Sequence, residues 1–373
     1  MKLRSISVLC CIFQLVLYCD ASSDGLLDYF NVFDIGKKVS VIFSPNVFEA
    51  YSYKLESMAD IINNPKFRKD RPTVIYIHGW LEDGEFEESV MAVRSAYRVR
   101  DDHNILAVDW SLYSQWNFPI PYKSSISKLK DICELMAEQL ELIRTRGCNC
   151  HKSIYLVGHS LGGQCAGLVG RTVKKLSNGQ FVIPKIFALD PAGPGFEFTT
   201  IVGVTGFDSI SKDDAKYVQI IHTNGGRLGV EKRAGHSDFF VNGGNEQPGC
   251  LTDICHHRRS WVYFQESVRE DEIFMSRQCD SYYDFLNGYC DKNDIKYMGY
   301  SSNETYPIGT YFLRTHPSIF GTPLGKDGLT NTKFILKNQD GSVSNGAKHF
   351  SYELKMLSNI NIDKHKDSFN NNI

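Results

Sequence analysis

Short apolar runs alternate with longer helical patterns along most of the chain, and this alternation limits the fold more than any other feature. The runs with strand character are 73–78, 104–109, 153–157, 186–189 and 217–221. The helical patterns that separate them are 88–98, 125–144 and 161–176. Strands that alternate with helices are typical of a parallel sheet covered on both sides. We therefore predict an α/β fold with a mostly parallel central sheet and helices on both faces.

The first residues have the layout of a targeting segment. Two basic residues precede the nearly apolar stretch 6–18, and small or polar residues follow around Ala21. This pattern is typical of a secretory signal peptide, whereas about 13 apolar residues is short for a membrane anchor. We predict that residues 1–21 are a signal peptide and that the protein is secreted and extracellular. A glycosylation sequon at Asn303 agrees with that location.

The cysteines also fit an oxidising compartment. Three of the eleven lie in the predicted signal peptide, which leaves an even number. The eight that remain are Cys133, Cys148, Cys150, Cys165, Cys250, Cys255, Cys279 and Cys290. Cys250 with Cys255, and Cys279 with Cys290, are the predicted local disulfides, because each pair would close a short polar loop. The other four allow three pairings and stay open, and Cys165 could also be a buried thiol.

Charge and the lengths of apolar runs give no sign of a nucleic-acid partner or of a membrane span in the chain after its N-terminus. The chain is 42% hydrophobic and 23% charged, as in an ordinary globular protein, and its formal net charge is −2. This charge gives no electrostatic reason to expect a nucleic-acid partner. After the N-terminus, no apolar run reaches the length of 18 or more residues that indicates a membrane span.

The sequence Gly158-His159-Ser160-Leu161-Gly162 marks a candidate nucleophile. It lies directly after one predicted strand and directly before a predicted helix. That context is typical of a nucleophile elbow, in which a serine occupies a strained turn and small neighbours let the backbone pass closely. The alternative is a glycine turn with a bystander serine, because the bare pattern arises easily by chance.

A candidate acid follows the serine, as the serine–acid–histidine order of α/β-hydrolases requires. Asp190 ends the run 186–189, and Pro191 then turns the chain. A carboxylate there would lie at the same edge of the sheet as Ser160, although it could merely cap a turn. Spacing alone does not choose among the histidines that follow, which are His222, His236, His256 and His257.

A family resemblance distinguishes these histidines. The motifs that carry it are Ile77-His78-Gly79-Trp80, Asp109-Trp110, 158–163, 189–194, 221–223, 235–240 and 255–260. Together they resemble the pancreatic-lipase family, and especially its animal, insect-like phospholipase A1 branch, over about 39–325. In that family the triad histidine lies two residues after a cysteine, which implies His257, with His256 as the alternative. A zinc site formed by Cys250, Cys255, His256 and His257 is a less favoured reading, because an oxidised loop accounts for the cysteines.

The resemblance implies a mechanism as well as a fold. It implies a triad of Ser160, Asp190 and His257, with the backbone N–H groups of Trp80 and Leu161 forming the oxyanion hole. Gly79 would leave the backbone free to aim the amide of Trp80. The reaction would pass through an acyl-enzyme and require no metal or cofactor. Family members can carry calcium after the acid strand, but segment 195–214 is longer here, so no metal ligand is assigned and calcium binding stays open.

The substrate is predicted from loop lengths. Triacylglycerol lipases of the family carry a long lid between two cysteines before the triad histidine, whereas residues 251–254 are all that separates Cys250 from Cys255 here. Loop 224–234 is also short. Both features resemble the phospholipases, so we expect hydrolysis of the sn-1 acyl ester of glycerophospholipids at a membrane or micelle surface. A neutral triacylglycerol lipase or galactolipase is the alternative. A non-catalytic, yolk-like lipid-binding protein is the different class, although such relatives lack the serine.

The remaining predictions concern the domains and a cluster of aromatic residues. We expect a catalytic domain at 22–325 and a polar tail at 326–373, since the tail is too short for the β-sandwich domain of about 100 residues that larger lipases carry. No colipase-like partner is then implied. Phe239 and Phe240 are predicted in the core. The aromatic residues that could either line an acyl channel or pack internally are Trp110, Tyr113, Trp116 and Phe118.

Overall fold

The computed structural model describes residues 35–46, 48–82, 87–114, 122–198, 207–300 and 308–316. The predicted signal peptide (1–21), the predicted tail (326–373), Asn303, Trp116 and Phe118 lie outside these residues. The domain limits therefore stay predictions. Within the described residues, no helix is both long and apolar enough to cross a membrane.

Eleven strands of the described chain form one sheet. They are β1 (Ser40–Phe43), β2 (Tyr51–Lys54), β3 (Thr73–Ile77), β4 (Asn104–Asp109), β5 (Ile154–His159), β6 (Lys185–Leu189), β7 (Tyr217–His222), β8 (Ser237–Val241), β9 (Met275–Gln278), β10 (Ile295–Tyr297) and β11 (Gly309–Leu313). Their order is β10-β9-β11-β8-β7-β6-β5-β3-β4-β1-β2. In the order of the sheet, the six pairings between β11 and β4 are parallel. The pairings outside them, which involve β9, β10, β1 and β2, are antiparallel. The prediction of an α/β fold with a mostly parallel sheet is confirmed.

The helices lie between the strands along the chain. They are α1 (Ile35–Lys38), α2 (Glu88–Arg100), α3 (Ser111–Ser114), α4 (Tyr122–Thr145), α5 (Leu161–Leu176), α6 (Asp253–Arg269) and α7 (Tyr282–Leu286). Short 3-10 helices occupy Leu55–Asn63, Asn149–Ser153 and Lys212–Asp214. α4 packs against α5, and α2 packs against α6.

The central strands β3, β6 and β7 are buried at every position and mostly apolar, because the two faces of the sheet belong to two separate cores. On β3, Ile75 and Ile77 join the core that contains α4 and α5, while Val74 and Tyr76 join the core that contains α2 and α6. Successive side chains of a strand point to opposite faces, so a strand covered on both sides is apolar along most of its length. Each such buried aliphatic side chain contributes about 1.5–3 kcal/mol to stability.

Element boundaries differ slightly from the sequence prediction. α2 continues to Arg100 and ends where Asp101 adopts a left-handed conformation, with φ of 51° and its N–H donated to the Tyr97 carbonyl. α4 begins at Tyr122, three residues earlier than predicted, and β5 continues to His159. Six strands of the described sheet were not predicted from the sequence; they are β1, β2, β8, β9, β10 and β11.

Four disulfides join the eight cysteines. Cys250–Cys255 and Cys279–Cys290 are the two local bridges expected from the sequence. The other four cysteines, whose pairing the sequence left open, form the disulfides Cys133–Cys165 and Cys148–Cys150. The reading of Cys165 as a free buried thiol is wrong, because the packing of α4 on α5 brings Cys133 within bonding distance.

Candidate active site

Ser160 lies in a strained turn between β5 and α5. Its backbone has φ of 55° and ψ of −120°, in a region that residues with a side chain rarely adopt. The end of β6 and the turn after it hold Ser160 there: the Ser160 N–H donates to the Leu189 carbonyl at 3.1 Å, and the Ser160 carbonyl accepts from the Ala192 N–H at 3.0 Å. Strain of this kind costs about 1–3 kcal/mol and persists where the surrounding structure enforces it. The geometry is that of a nucleophile elbow.

The glycines of the motif are required by close packing. A Cβ on Gly158 would overlap the carbonyl of Gly162, and a Cβ on Gly162 would overlap the carbonyl of Ile77. α5 thus begins in direct contact with β5 and β3, which fixes the start of the helix beside Ser160.

Asp190 is held at the end of β6, the strand next to β5. It is fully buried and also has a left-handed backbone, with φ of 45°. Its Oδ1 accepts from the N–H groups of Thr223 and Asn224 at 2.8 and 3.1 Å. Its Oδ2 lies 2.6 Å from Nδ1 of His257. The carboxylate is therefore oriented by two amides and presents its other oxygen to an imidazole.

His257 lies in the first turns of α6, with its ring buried. Burial lowers its pKa below the usual 6.5, and the hydrogen bond to Asp190 offsets only part of that effect. Because a carboxylate accepts but does not donate, Nδ1 of His257 carries the proton in this pair. Nε2 is then the basic nitrogen of the ring.

The other three histidines have different partners. Nδ1 of His256 accepts from the Gln247 N–H at 2.8 Å, and Nδ1 of His236 accepts from the Val218 N–H at 3.1 Å. Both nitrogens of His222 are engaged, by the Val230 carbonyl and by Asp238. The structure thus brings His257, and none of the alternatives, to Asp190.

The zinc reading of this region is wrong. Cys250 and Cys255 form a disulfide, and zinc requires thiolates. Among the residues that the structure describes, which omit 199–206 of the segment considered for calcium, no group of three or more His, Cys, Asp or Glu side chains could hold a metal ion.

The two predicted oxyanion donors lie at the ends of neighbouring elements. Leu161 is the first residue of α5, so no carbonyl of its own helix is available to its N–H. Trp80 follows Gly79, and its indole Nε1 donates to Ser125 Oγ at 3.1 Å. His78 fixes the peptide between them: its Nε2 accepts from the Trp110 N–H, so its Nδ1 donates to the Gly79 carbonyl at 2.9 Å. The peptide plane that carries the Trp80 N–H is therefore oriented by a buried side chain.

Gly79 has no room for a side chain. A Cβ there would lie 2.9 Å from Cβ of Ser160 and 3.3 Å from Nδ1 of His159. Gly79→Ala is expected to displace the peptide or the serine and to lower kcat for ester hydrolysis about 100-fold, since shifts near 1 Å have effects of that size. Initial-rate kinetics on the purified variant, with thermal unfolding to show that it folds, would measure this. A kcat within about twofold of wild type would show that the amide beside Gly79 is not used.

The aromatic residues that the sequence singled out differ in burial where the structure describes them. Trp110 and Tyr113 are buried, and Trp110 stacks on His78 with ring centroids 5.3 Å apart, so these two pack internally. Phe239 is in the core as expected. Phe240 is only partly buried and stacks on His222 at 4.1 Å.

One residue near the serine was missed by the sequence analysis. Glu82 is buried, and its Oε1 lies 2.6 Å from Nδ1 of His159. It stands in an acid-rich stretch, 82–88, whose other acidic residues resemble it in sequence. No local pattern marks it, because its importance arises from the tertiary contact with His159.

Comparison with known proteins gives matches over most of the chain. A family model described as Lipase matches residues 40–319. Lipoprotein lipase of Rattus norvegicus is 29% identical over 312 residues, covering 76% of this chain and 62% of that protein. Lipase member H of Oryctolagus cuniculus is 30% identical over 252 residues, covering 64% of this chain and 52% of that protein. The chain spans 59% to 62% of the length of the first lipoprotein lipases that it matches.

Among solved structures, Aspergillus fumigatus lipase B is 12% identical with a TM-score of 0.32. That match covers 55% of this chain and 54% of the other chain.

Proposed function

The chain belongs to the Lipase family, and from this premise we propose that it is a secreted serine esterase that hydrolyses the sn-1 acyl ester of glycerophospholipids. The observation that carries the proposal is the buried pair of Asp190 and His257, 2.6 Å apart, at the edge of the sheet where the strained Ser160 lies. A carboxylate that orients an imidazole is the arrangement that activates a serine hydroxyl.

The proposed reaction has two halves. Nε2 of His257 takes the Ser160 proton while Oγ bonds to the ester carbonyl carbon, and the N–H groups of Trp80 and Leu161 stabilise the oxyanion. The tetrahedral intermediate collapses as the protonated His257 gives its proton to the departing alcohol oxygen. Water, activated by the same imidazole, then releases the fatty acid from Ser160.

The preference for phospholipid rests on the loop that precedes His257. The disulfide Cys250–Cys255 restrains four residues, too few to cover an acyl groove. A bulky polar headgroup would meet no lid at this side of the site. The same loop supports contact with a lipid surface, because the side chains of Leu251 and Ile254 are 96% and 50% exposed.

Secretion is supported by the cysteines. Four disulfides among the eight cysteines that follow the predicted signal peptide would persist in an oxidising compartment and would be reduced in the cytosol.

The substrate can be tested with two lipids. The purified full chain would be assayed on mixed micelles of phosphatidylcholine with different acyl chains at the two positions, and separately on a trioleoylglycerol emulsion. Release of the sn-1 chain with accumulation of 2-acyl lysophospholipid is the expected result. Cleavage of triacylglycerol alone would refute the phospholipid preference, and failure of an organophosphonate ester to label Ser160 would favour a non-catalytic lipid-binding protein.

The pH dependence of the reaction follows from the burial of His257. The imidazole must be neutral to take the Ser160 proton, and burial lowers its pKa from the usual 6.5. The acid limb of kcat/KM, which reports the free enzyme, should therefore have its midpoint below pH 6.5. A pH–rate profile with a soluble short-chain ester measures it, and a midpoint above 6.5 would contradict this assignment of the base.

A further inference from the structure

A second buried pair of a carboxylate and an imidazole lies beside Asp190 and His257. Glu82, in the loop after β3, contacts His159, the last residue of β5 and the residue before Ser160. We propose that Glu82 and His159 are positioning residues of the reaction, with Glu82 holding His159 against the ring of His257 and also holding the amide of Gly79 beside the Trp80 oxyanion donor. This inference rests on the proposed function.

The carboxylate of Glu82 is held at both oxygens. Oε1 accepts from His159 Nδ1 at 2.6 Å, and Oε2 accepts from the Gly79 N–H at 3.1 Å and from Ser89 Oγ at 2.9 Å. Its own carbonyl accepts from Ser114 Oγ at 3.0 Å. One side chain thus joins the strand end that precedes Ser160 to the turn that carries Trp80.

Glu82 is also ionised. Burial alone would raise its pKa, but the hydrogen bonds that it accepts from His159 and from the Gly79 amide favour the carboxylate form, and the pKa is lowered. The negative charge is therefore present throughout the pH range in which His257 can act as a base.

The orientation of His159 determines what this charge does. Nδ1 donates to Glu82, while the buried Nε2 has no hydrogen-bond partner among the described residues. A protonated ring would bury an unpaired N–H at Nε2, so the neutral ring fits this environment. The pair then carries the single negative charge of Glu82.

The ring of His159 lies against the ring of His257, with centroids 4.6 Å apart and planes tilted by 44°. His257 becomes a cation when it takes the Ser160 proton. Asp190 stabilises that cation directly, and the charge of Glu82 stabilises it through His159. The contact also restricts the direction in which the imidazole can turn.

Other charged groups face the same imidazole. Asp190, after β6, bonds its Nδ1, and the buried His222–Asp238 pair on β7 and β8 lies near Asp190. On α6 itself, Arg258 and Arg259 follow His257 in the chain, and Arg258 is paired with Glu87. Substitution of Glu82 changes none of these residues, so its effect on His257 can be measured by itself.

Glu82→Gln tests the inference with almost no change of shape. We expect kcat to fall about 10- to 100-fold with KM nearly unchanged, since the loss of a group that orients a reacting side chain has effects of this size. We also expect the acid limb of kcat/KM to move to lower pH, because an anion that favours the imidazolium form of His257 is removed. A merely structural role for Glu82 would not move that limb.

A double-mutant cycle with His159→Phe tests whether the two residues act together. Phenylalanine keeps a ring against His257 but cannot bond Glu82. If the pair acts as a unit, the double variant should have a kcat close to that of the poorer single variant. Effects on kcat that multiply independently would contradict the pairing.

Asp214→Asn is the matched control. Asp214 is also a buried carboxylate with a charged partner, Arg171, but that partner lies on α5 far along the helix from Ser160. This variant should lose stability, measured by thermal unfolding, while its kcat and acid limb stay at the wild-type values.

The inference and the proposed function fail in different ways. If wild type is active and Ser160→Ala is not, a folded Glu82→Gln with a kcat within about twofold of wild type and an unmoved acid limb overturns the inference alone. If Glu82→Gln does not fold, His159→Gln, which keeps a donor for Glu82, must lower kcat with KM unchanged, or the inference is wrong. If wild type cleaves no ester, NMR titration of His257 decides: a lower midpoint in Glu82→Gln than in wild type supports the inference, and an equal midpoint overturns it.

Discussion

Replacement of Ser160 by alanine should reduce kcat for ester hydrolysis about a millionfold, the usual cost of losing an activated nucleophile. The hydroxyl is the group that would form the acyl-enzyme. Alanine removes this oxygen and keeps the Cβ, so the volume of the site hardly changes. Stability should change little, because alanine at this position keeps the same left-handed backbone. Progress curves at high enzyme concentration, with organophosphonate labelling followed by mass spectrometry, would measure both the residual rate and the lost label.

Ser57→Ala is a suitable control, since Ser57 lies in the 3-10 helix Leu55–Asn63 and its exposed hydroxyl bonds only locally, to the Lys54 carbonyl. It should retain wild-type rates. A Ser160→Ala variant that kept more than about a thousandth of wild-type activity would show that another group attacks the ester.

Asp190→Asn should lower kcat about 10,000-fold. The amide oxygen of asparagine can still accept from the N–H groups of Thr223 and Asn224, so the side chain should stay in place. Its NH₂ group would then face Nδ1 of His257 and donate to it, which moves the imidazole proton to Nε2. A ring with its proton on Nε2 cannot take the proton of Ser160.

Asp238→Asn provides a comparison for this result. Asp238 forms the same kind of buried pair with His222, 2.9 Å apart, but it does not contact His257. This variant should lose stability, while its loss of kcat should be at least about 100-fold smaller than that of Asp190→Asn. Similar losses in the two variants would indicate that Asp190 acts through folding and not through His257. Steady-state kinetics and thermal unfolding on both proteins would distinguish the cases.

The sequence predicts the parts of this site that depend on local structure. Ser160 and Asp190 each follow a strand directly, and the carboxyl ends of parallel strands meet at one edge of a sheet. His257 is different, because four histidines follow Asp190 and spacing does not separate them. A tertiary contact does: the Gln247 amide occupies Nδ1 of His256, which leaves His257 to face Asp190.

Features that depend on packing were less predictable. The disulfide Cys133–Cys165 depends on the packing of α4 against α5, which the spacing of the cysteines in the sequence does not show. The two strands at the edges of the sheet, β2 and β10, are short and partly exposed, and so they lack the continuous apolar runs of the central strands. Glu82 carries no sequence signal because its acidic neighbours in the chain look the same, although the fold buries it against His159.

The bridge between α4 and α5 has a consequence for where the protein can work. Cys165 lies five residues after Ser160, on the helix that begins at the elbow, and its bond to Cys133 closes a loop that contributes about 3–4 kcal/mol to stability. The disulfide therefore restrains α5, the same helix whose first turn orients the Leu161 amide. A reductant that opens this link would loosen the proposed active site as well as the fold, so we expect the protein to lose its proposed esterase activity in a thiol-rich medium.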